Sequence, residues 1–311
     1  MFVDTHGHVN FNAFKEDADQ VLKRTIENDI QVIMPGSQYS TSKRAVEIAE
    51  GYERGVYAAI GLHPIHVGEQ RYVDGLELQS ETPAPLETAR QRRAKFLSGF
   101  ETRQEQFDYE AYKKLADNSS KRKVVAIGEV GLDYYYFPKS KAKREEIKKK
   151  QKEVLQKQMD LADVLDLPVI LHCRSAHEDL LEFLGKQQRI RGVVHCYTGT
   201  VEQVQKFIEL GLYIGFNGLI FKDVPALPDP KEVIASVPLE RIVLETDSPY
   251  LAVPAEVLTK AGAAPVQRNE PLYVKYVAQE IARIKKVSLE DVARATTENA
   301  RTLFTLLLSG E

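Results

Sequence analysis

The sequence predicts an α/β fold, a closed (β/α)8 TIM barrel, on three observations. Short apolar runs rich in β-branched residues recur eight times, each followed by a longer polar or amphipathic stretch. Each run is apolar almost without a break, as parallel strands covered on both faces should be. The side chains with the most chemistry stand where the runs end, and barrel enzymes place their active groups there. An open doubly wound sheet shares the first two patterns; the count of eight favours closure.

In chain order the runs are Phe2–Thr5, Gln31–Met34, Val56–Ile60, Val124–Ile127, Pro168–Leu171, Gly192–Val194, Leu212–Ile214 and Arg241–Leu244. A helix is expected from Ser140 to Leu165. It opens at a serine cap and carries Ile147, Val154, Leu155, Met159, Ala162 and Leu165 at helical spacing. Ser175–Leu184 and Thr200–Leu210 also open at hydroxyl residues. Two helices close the chain, Tyr273–Lys285 and Leu289–Leu308.

One region breaks the rhythm. The third and fourth runs are far further apart than a βα unit requires. Residues 65–123 are therefore expected to form an extended loop and helical insertion after strand 3, within a single domain spanning 1–311. Gln79–Leu86 is Pro-rich and polar, Arg90–Phe107 predicts a charged helix, and Tyr109–Asn118 a second. Loops after barrel strands carry function, so this insertion is a candidate lining for the cleft.

Composition narrows the class. Hydrophobic residues make up 43% of the chain, enough for a sizeable core. The net charge of -3 gives no whole-molecule attraction to polyanions, so any such contact must be local. Cys173 and Cys196 make no disulfide framework, which suits a reducing compartment. There is no apolar run of membrane-spanning length and no signal-peptide pattern at the start. The expectation is a cytoplasmic protein without a membrane or an obligate protein partner.

His6, His8, His63, Glu129, His172, His195 and Asp247 all lie at or just past a predicted strand end. His6 and His8 share strand parity, so their imidazoles can face one cation. Glu129, flanked by glycine, can bridge two cations. Singly, each is as readily a buried hydrogen-bonded histidine or a salt-bridged rim carboxylate. Together, His6, His8, Glu129, His172, His195 and Asp247 read as one ligand set for two divalent ions. Four imidazoles with two carboxylates suit zinc, manganese or cobalt better than calcium, and magnesium stays open. Two such ions would equip the site for metal-activated hydrolysis of phosphodiesters, amides or esters. Glu129 and Asp247 are then catalytic as well as ligating, with Asp247 orienting or deprotonating the attacking water. Glu245 is either a holder of a ligand histidine or a buried ion pair.

The motifs Asp4-Thr-His-Gly-His8, Gly61-Leu-His-Pro64, Gly128-Glu-Val-Gly-Leu-Asp133, Leu171-His-Cys-Arg174, His195-Cys-Tyr-Thr-Gly199, Glu245-Thr-Asp-Ser-Pro249 and Arg268-Asn-Glu-Pro271 occur in this order. In them the chain resembles the TatD family of metal-dependent deoxyribonucleases, among the amidohydrolase-like barrels. The resemblance implies divalent-metal-dependent hydrolysis of DNA, often as a 3′-to-5′ exonuclease acting on single strands or 3′ ends. It also implies that the six residues above match the family's ligands. His63 matches a histidine near the scissile phosphate, which makes it a third catalytic candidate. Some relatives are credited with other hydrolyses. The alternative is therefore an amide or ester hydrolase, such as a D-aminoacyl-tRNA deacylase or a lactonase. Many amidohydrolase relatives bridge their metals with a carboxylated lysine on this strand. Glu129 in its place favours the nuclease branch.

Arg174, Arg268 and Tyr197 are candidates for substrate binding, the arginines through bidentate phosphate recognition. An interior ion pair with Glu245 or Asp4 is the rival reading of Arg174. His66 and His177 are expected on the surface, and both cysteines are expected to pack away from the metals. Tyr134-Tyr-Tyr-Phe137 could stack a base or simply cover the barrel mouth. The basic run Lys139–Lys152 could steer nucleic acid, although barrel helices lie outside and a solvated face is the plainer reading.

Overall fold

The computed structural model describes residues 1–68, 72–73, 100–101, 103–119, 122–135, 137–264 and 268–306. Eight strands form one parallel sheet: β1 (Phe2–Asp4), β2 (Ile30–Pro35), β3 (Val56–Ile60), β4 (Val124–Asp133), β5 (Val169–Arg174), β6 (Gly192–Val194), β7 (Tyr213–Phe216) and β8 (Ile242–Leu244). Each pairs in parallel with the next. The first and last strands meet just beyond their ends. Thr5 N–H donates to Leu244 O at 2.9 Å, Asp247 N–H to His6 O at 2.7 Å and His8 N–H to Ser248 O at 2.7 Å. The expected barrel is present, with closure made by the segments that carry the chemistry.

Two cores result from strand alternation. Val3, Ile33, Tyr57, Ile170, Val193 and Val243 fill the interior, where Leu303 and Phe304 of the last helix join them. The opposite faces, including Val32, Val56, Leu171 and Ile214, pack beneath the helices. Both faces of each strand are buried, which is why the runs showed no polar alternation. Among the described residues, no helix is long and apolar enough to cross a membrane.

Helix starts follow the hydroxyl signals in most cases. Thr200 forms a capping box with Gln203, and Ser140 and Ser288 accept from backbone N–H groups of their first turns. Ser175 departs from this. Its backbone is left-handed at φ 56°, so the helix begins at His177 without a side-chain cap.

In the insertion, Tyr109–Asp117 is helical as expected. Gln79–Leu86 lies outside the described residues, as does most of the proposed helix Arg90–Phe107. Its described end is not helical. Phe100–Glu101 pairs antiparallel with Tyr72–Val73, and 103–107 is irregular. Glu105 explains part of this: its carboxylate accepts from Tyr39 N–H at 3.0 Å and from the Tyr112 hydroxyl at 3.0 Å. It thus caps a neighbouring helix rather than continuing its own.

Strand β4 runs six residues beyond the expected end at Ile127. It pairs with β5 as far as Asp133↔Arg174, after a register shift between Ile127 and Val130. Glu129 sits within that shift. Gly131 permits the continuation, since a side chain there would overlap the His172 backbone and its φ is 145°.

Candidate active site

Glu129 stands at the centre of the barrel mouth, buried among histidines. Its Oε2 lies 3.3 Å from His6 Nε2 and 3.8 Å from His8 Nε2. Its Oε1 lies 2.8 Å from His172 Nδ1, 3.3 Å from His63 Nε2 and 3.8 Å from His195 Nε2. Asp247 Oδ1 completes the first group, 3.4 Å from His8 Nε2 and 3.9 Å from His6 Nε2. The six expected ligands therefore converge, and one carboxylate divides the imidazoles into two sets.

The donor set fits divalent cations. Donors each about 2.1 Å from a common ion should be roughly 3.0–3.5 Å apart. His6 Nε2 and His8 Nε2 are 3.1 Å apart, and the neighbouring separations are of the same order. Two imidazole nitrogens facing each other at that distance beside two carboxylates are the surroundings of a cation.

Hydrogen bonds on the far side of the His8, His195 and His63 rings set their tautomers. His8 Nδ1 faces Pro35 O at 3.1 Å; a carbonyl only accepts, so Nδ1 carries the proton and Nε2 is a bare donor. His195 Nδ1 donates to Glu245 Oε2 at 2.9 Å, leaving its Nε2 for the centre. His63 is the reverse. Its Nδ1 accepts from Ile65 N–H at 3.0 Å, so the proton sits on Nε2, aimed at Glu129. Proximity alone groups His63 with Glu129 and His172 as a metal cluster. The tautomer argues otherwise and makes His63 a hydrogen-bond donor to whatever occupies the centre.

His172 is held between two carboxylates, with Nδ1 on Glu129 and Nε2 3.2 Å from Asp133 Oδ2. Burial opposes its charge, but Asp133 and Glu129 outweigh it and raise the imidazole to about 9. For His195, burial is likewise overcome by Glu245, and its value rises to about 10. For His6 the balance is reversed: burial and the neighbouring His195 outweigh Glu129 and depress it to about 4. Desolvation alone would raise buried Glu129 and half-buried Asp247, yet the surrounding histidines hold both below the usual carboxylate range.

A frame around the centre was not read from the sequence. Asp133 lies six residues past Ile127, where the apolar run predicts the strand to end. Asp4 accepts from the Thr246 hydroxyl at 2.6 Å and Thr246 N–H at 2.9 Å, tying β1 to the segment before Asp247. Burial, against those hydrogen bonds, raises Asp4 to about 7. Asn269 Nδ2 donates to Thr246, Tyr250 and Leu251 carbonyls at 2.9, 2.8 and 3.2 Å. Asn10 Nδ2 donates to Pro35 O and Thr41 O, both at 3.0 Å. On the helix Lys141–Leu165, Gln158 clamps both backbone groups of Leu62, and Gln151 clamps both of Asp133 and also donates to Pro64 O. Those two glutamines are seven residues apart, on one helix face, and are buried where the sequence suggests surface.

The candidate substrate residues separate. Arg174 ends β5 with its guanidinium 3.7 Å from the Tyr135 ring centre. Glu245 and Asp4 are engaged elsewhere, by His195 and Thr246. Arg268 directs its fork to Asp17 Oδ1 and Oδ2, Glu270 and Ala13 O, beside the Arg24–Glu270 pair. Tyr197 is buried, its hydroxyl donating to Thr200 O at 2.9 Å.

Three expectations need correction. His66 is buried, not exposed: it lies in the turn Pro64–His66, and its Nδ1 faces Arg103 O at 3.1 Å. His177 is half-buried against Tyr197 and Phe207, and burial lowers it to about 4. Cys173 packs in the core as expected, but the Cys196 thiol lies within 4.8 Å of the His195 and Asp247 ligand atoms. Its backbone is left-handed at φ 45°, so strand alternation does not turn it away. Burial and the nearby Asp247 push its thiol well above the usual range.

The model of the family described as TatD related DNase matches residues 3–305. A Bacillus subtilis metal-dependent hydrolase, YabD, is 34% identical over 308 residues, covering 98% of this chain and 99% of that protein. The 3′-5′ ssDNA/RNA exonuclease TatD of Edwardsiella piscicida is 28% identical, covering 94% and 95%. The crystal structure of YjjV, a TatD homolog from Escherichia coli K12, superposes with a TM-score of 0.72 at 29% identity, covering 98% of each chain.

Proposed function

Because this chain belongs to the TatD related DNase family of metal-dependent hydrolases, we propose that it hydrolyses DNA phosphodiester bonds, removing nucleotides from single-stranded 3′ ends. The observation that carries the reading is Glu129, whose two oxygens address separate imidazole sets. His6, His8 and Asp247 would hold one divalent ion and His172 and His195 a second, with Glu129 between them. Zinc, manganese and magnesium are the candidates. Such ions would supply a nucleophilic water at neutral pH and neutralise charge developing on phosphorus.

The chain's own groups do the rest. Asp247, its carboxyl held below the usual range by the neighbouring histidines, would orient the attacking water and take its proton. His63 presents Nε2–H and would donate to a phosphate oxygen or to the leaving oxygen. Glu245 and Asp133 hold His195 and His172 in the required orientation.

The test is metal-dependent release of nucleotides from a single-stranded oligonucleotide with free or blocked 3′ ends. Wild-type protein should act only on the free end. The double variant His6→Ala/Glu129→Ala should be inactive while remaining folded by circular dichroism; full activity in it would sink the assignment. Turnover of D-aminoacyl-tRNA or a lactone with the oligonucleotide left intact would move the chain to the amide and ester hydrolases.

A further inference from the structure

Beside the metal centre the barrel rim carries features that the hydrolytic reading does not use. Tyr135 is 49% exposed, although the Arg174 guanidinium covers one side of its ring at 3.7 Å. Its backbone is fixed: Tyr135 N–H donates to Asp133 Oδ1 at 2.9 Å, the carboxylate whose other oxygen holds His172. The aromatic ring is thus one residue pair from a candidate ligand. Next to it, Tyr134 stacks on Phe137, and Lys148 Nζ lies 4.9 Å from the Tyr134 ring centre. Lys148 belongs to the first half of the helix Lys141–Leu165, which starts on the catalytic side because it follows the C-terminal end of β4.

That half-helix and its lead-in carry eight cations and two carboxylates between residues 139 and 152, in a chain whose net charge is -3. Some of this charge is paired. Lys148 and Lys152 both reach Asp179 Oδ2 at 3.4 Å, and Lys150 reaches Glu146 at 2.8 Å. The local excess stays positive, eight cations to two carboxylates, and Lys148 brings it against the Tyr134 ring.

We propose that Tyr135 with Arg174, continued by the cationic first half of the helix Lys141–Leu165, forms a track that holds single-stranded nucleic acid as it enters the metal centre. This rests on the nuclease reading above and adds to it the surface that selects a polymer over a small phosphodiester. The exposed part of the Tyr135 ring takes one base, and every base has a face that can stack. Arg174 and the helix cations take successive phosphates. The recognition is independent of sequence and sensitive to salt, because it uses stacking and charge rather than base edges.

The experiment compares two substrates on the metal-loaded enzyme: a single-stranded oligonucleotide of about 12 nucleotides, and bis(p-nitrophenyl) phosphate, which lacks bases and reads the metal centre alone. Tyr135→Ala should lower the ratio of the two kcat/KM values at least about tenfold, chiefly through KM for the oligonucleotide. Tyr135→Phe should restore it, because the ring and not the hydroxyl stacks. Lys141→Gln/Lys143→Gln/Lys149→Gln changes three exposed side chains. It should reduce the salt slope of log kcat/KM for the oligonucleotide by about 2, at roughly 0.7 per single-strand phosphate contact. If wild type cleaves the oligonucleotide and either Tyr135→Ala keeps its ratio or the triple lysine variant keeps its salt slope, the track is refuted and the nuclease reading stands. If wild type cleaves only bis(p-nitrophenyl) phosphate, both fall.

Discussion

Replacing Glu245 with glutamine sets two effects of one carboxylate against each other, and magnitudes decide the outcome. Glu245 Oε2 accepts from His195 Nδ1 at 2.9 Å and from Cys196 N–H at 3.0 Å, in a fully buried position. It orients the ring, and it is also the main reason that His195 is raised to about 10 against burial. A ligating nitrogen must be bare, and at pH 7 a group of pKa 10 is protonated about 1000 to one. His172, at about 9, is protonated about 100 to one. Metal entry must expel both protons, so affinity should strengthen as pH rises. The slope of log Kd on pH should be about -2 between roughly pH 7 and 8.5. Glu245→Gln removes the charge that holds one of those protons, and the slope should become about -1. Loss of the orienting carboxylate should weaken binding about 10–100-fold. Relief from proton competition is worth up to about 1000-fold at pH 7 and vanishes near pH 10. The two Kd curves should therefore cross at about pH 8–9, the variant binding more tightly below and more weakly above. Competition with a chromophoric chelator measures Kd, and calorimetry in two buffers counts the protons released. Parallel curves, with the variant weaker by one factor throughout, would refute the reasoning.

Two further outcomes follow from packing. A side chain on Gly215 would overlap both Glu245 carboxylate oxygens, so Gly215→Ala should cost about 1–3 kcal/mol in urea unfolding and displace Glu245 enough to flatten the same pH slope. Arg268→Ala should cost about 1 kcal/mol through the lost Asp17 and Glu270 contacts, without raising KM for single-stranded DNA; a rise of about tenfold would return Arg268 to the substrate.

Much of the mouth was legible because each strand ends in its chemistry. A run such as Pro168–Leu171 followed at once by His172 shows both the strand and the residue it delivers. The register shift hid Asp133, since Gly128 and Gly131 look like a strand's end but permit its close pairing with β5. Gln151 and Gln158 were invisible for another reason. They lie in a helix crowded with lysine and glutamate, where a polar residue reads as solvated, and only the backbone of 61–64 and 133 shows what they hold. Arg268 and Tyr197 have the right chemistry for a substrate, yet their partners are distant in sequence or depend on how a loop folds back.

The clamps around the mouth are almost all amides. Asn10, Gln151, Gln158 and Asn269 hold the backbones that position His8, Asp133, His63 and Asp247. Amide side chains gain or lose no proton across the range in which enzymes are assayed. The scaffold thus keeps its geometry while the imidazoles and carboxylates within it change charge. An acid or alkaline limb in a rate profile of this protein then reports ionisation at the metal centre or at Asp4, the carboxylate that joins these amides in the frame, not a loosening of the amide clamps.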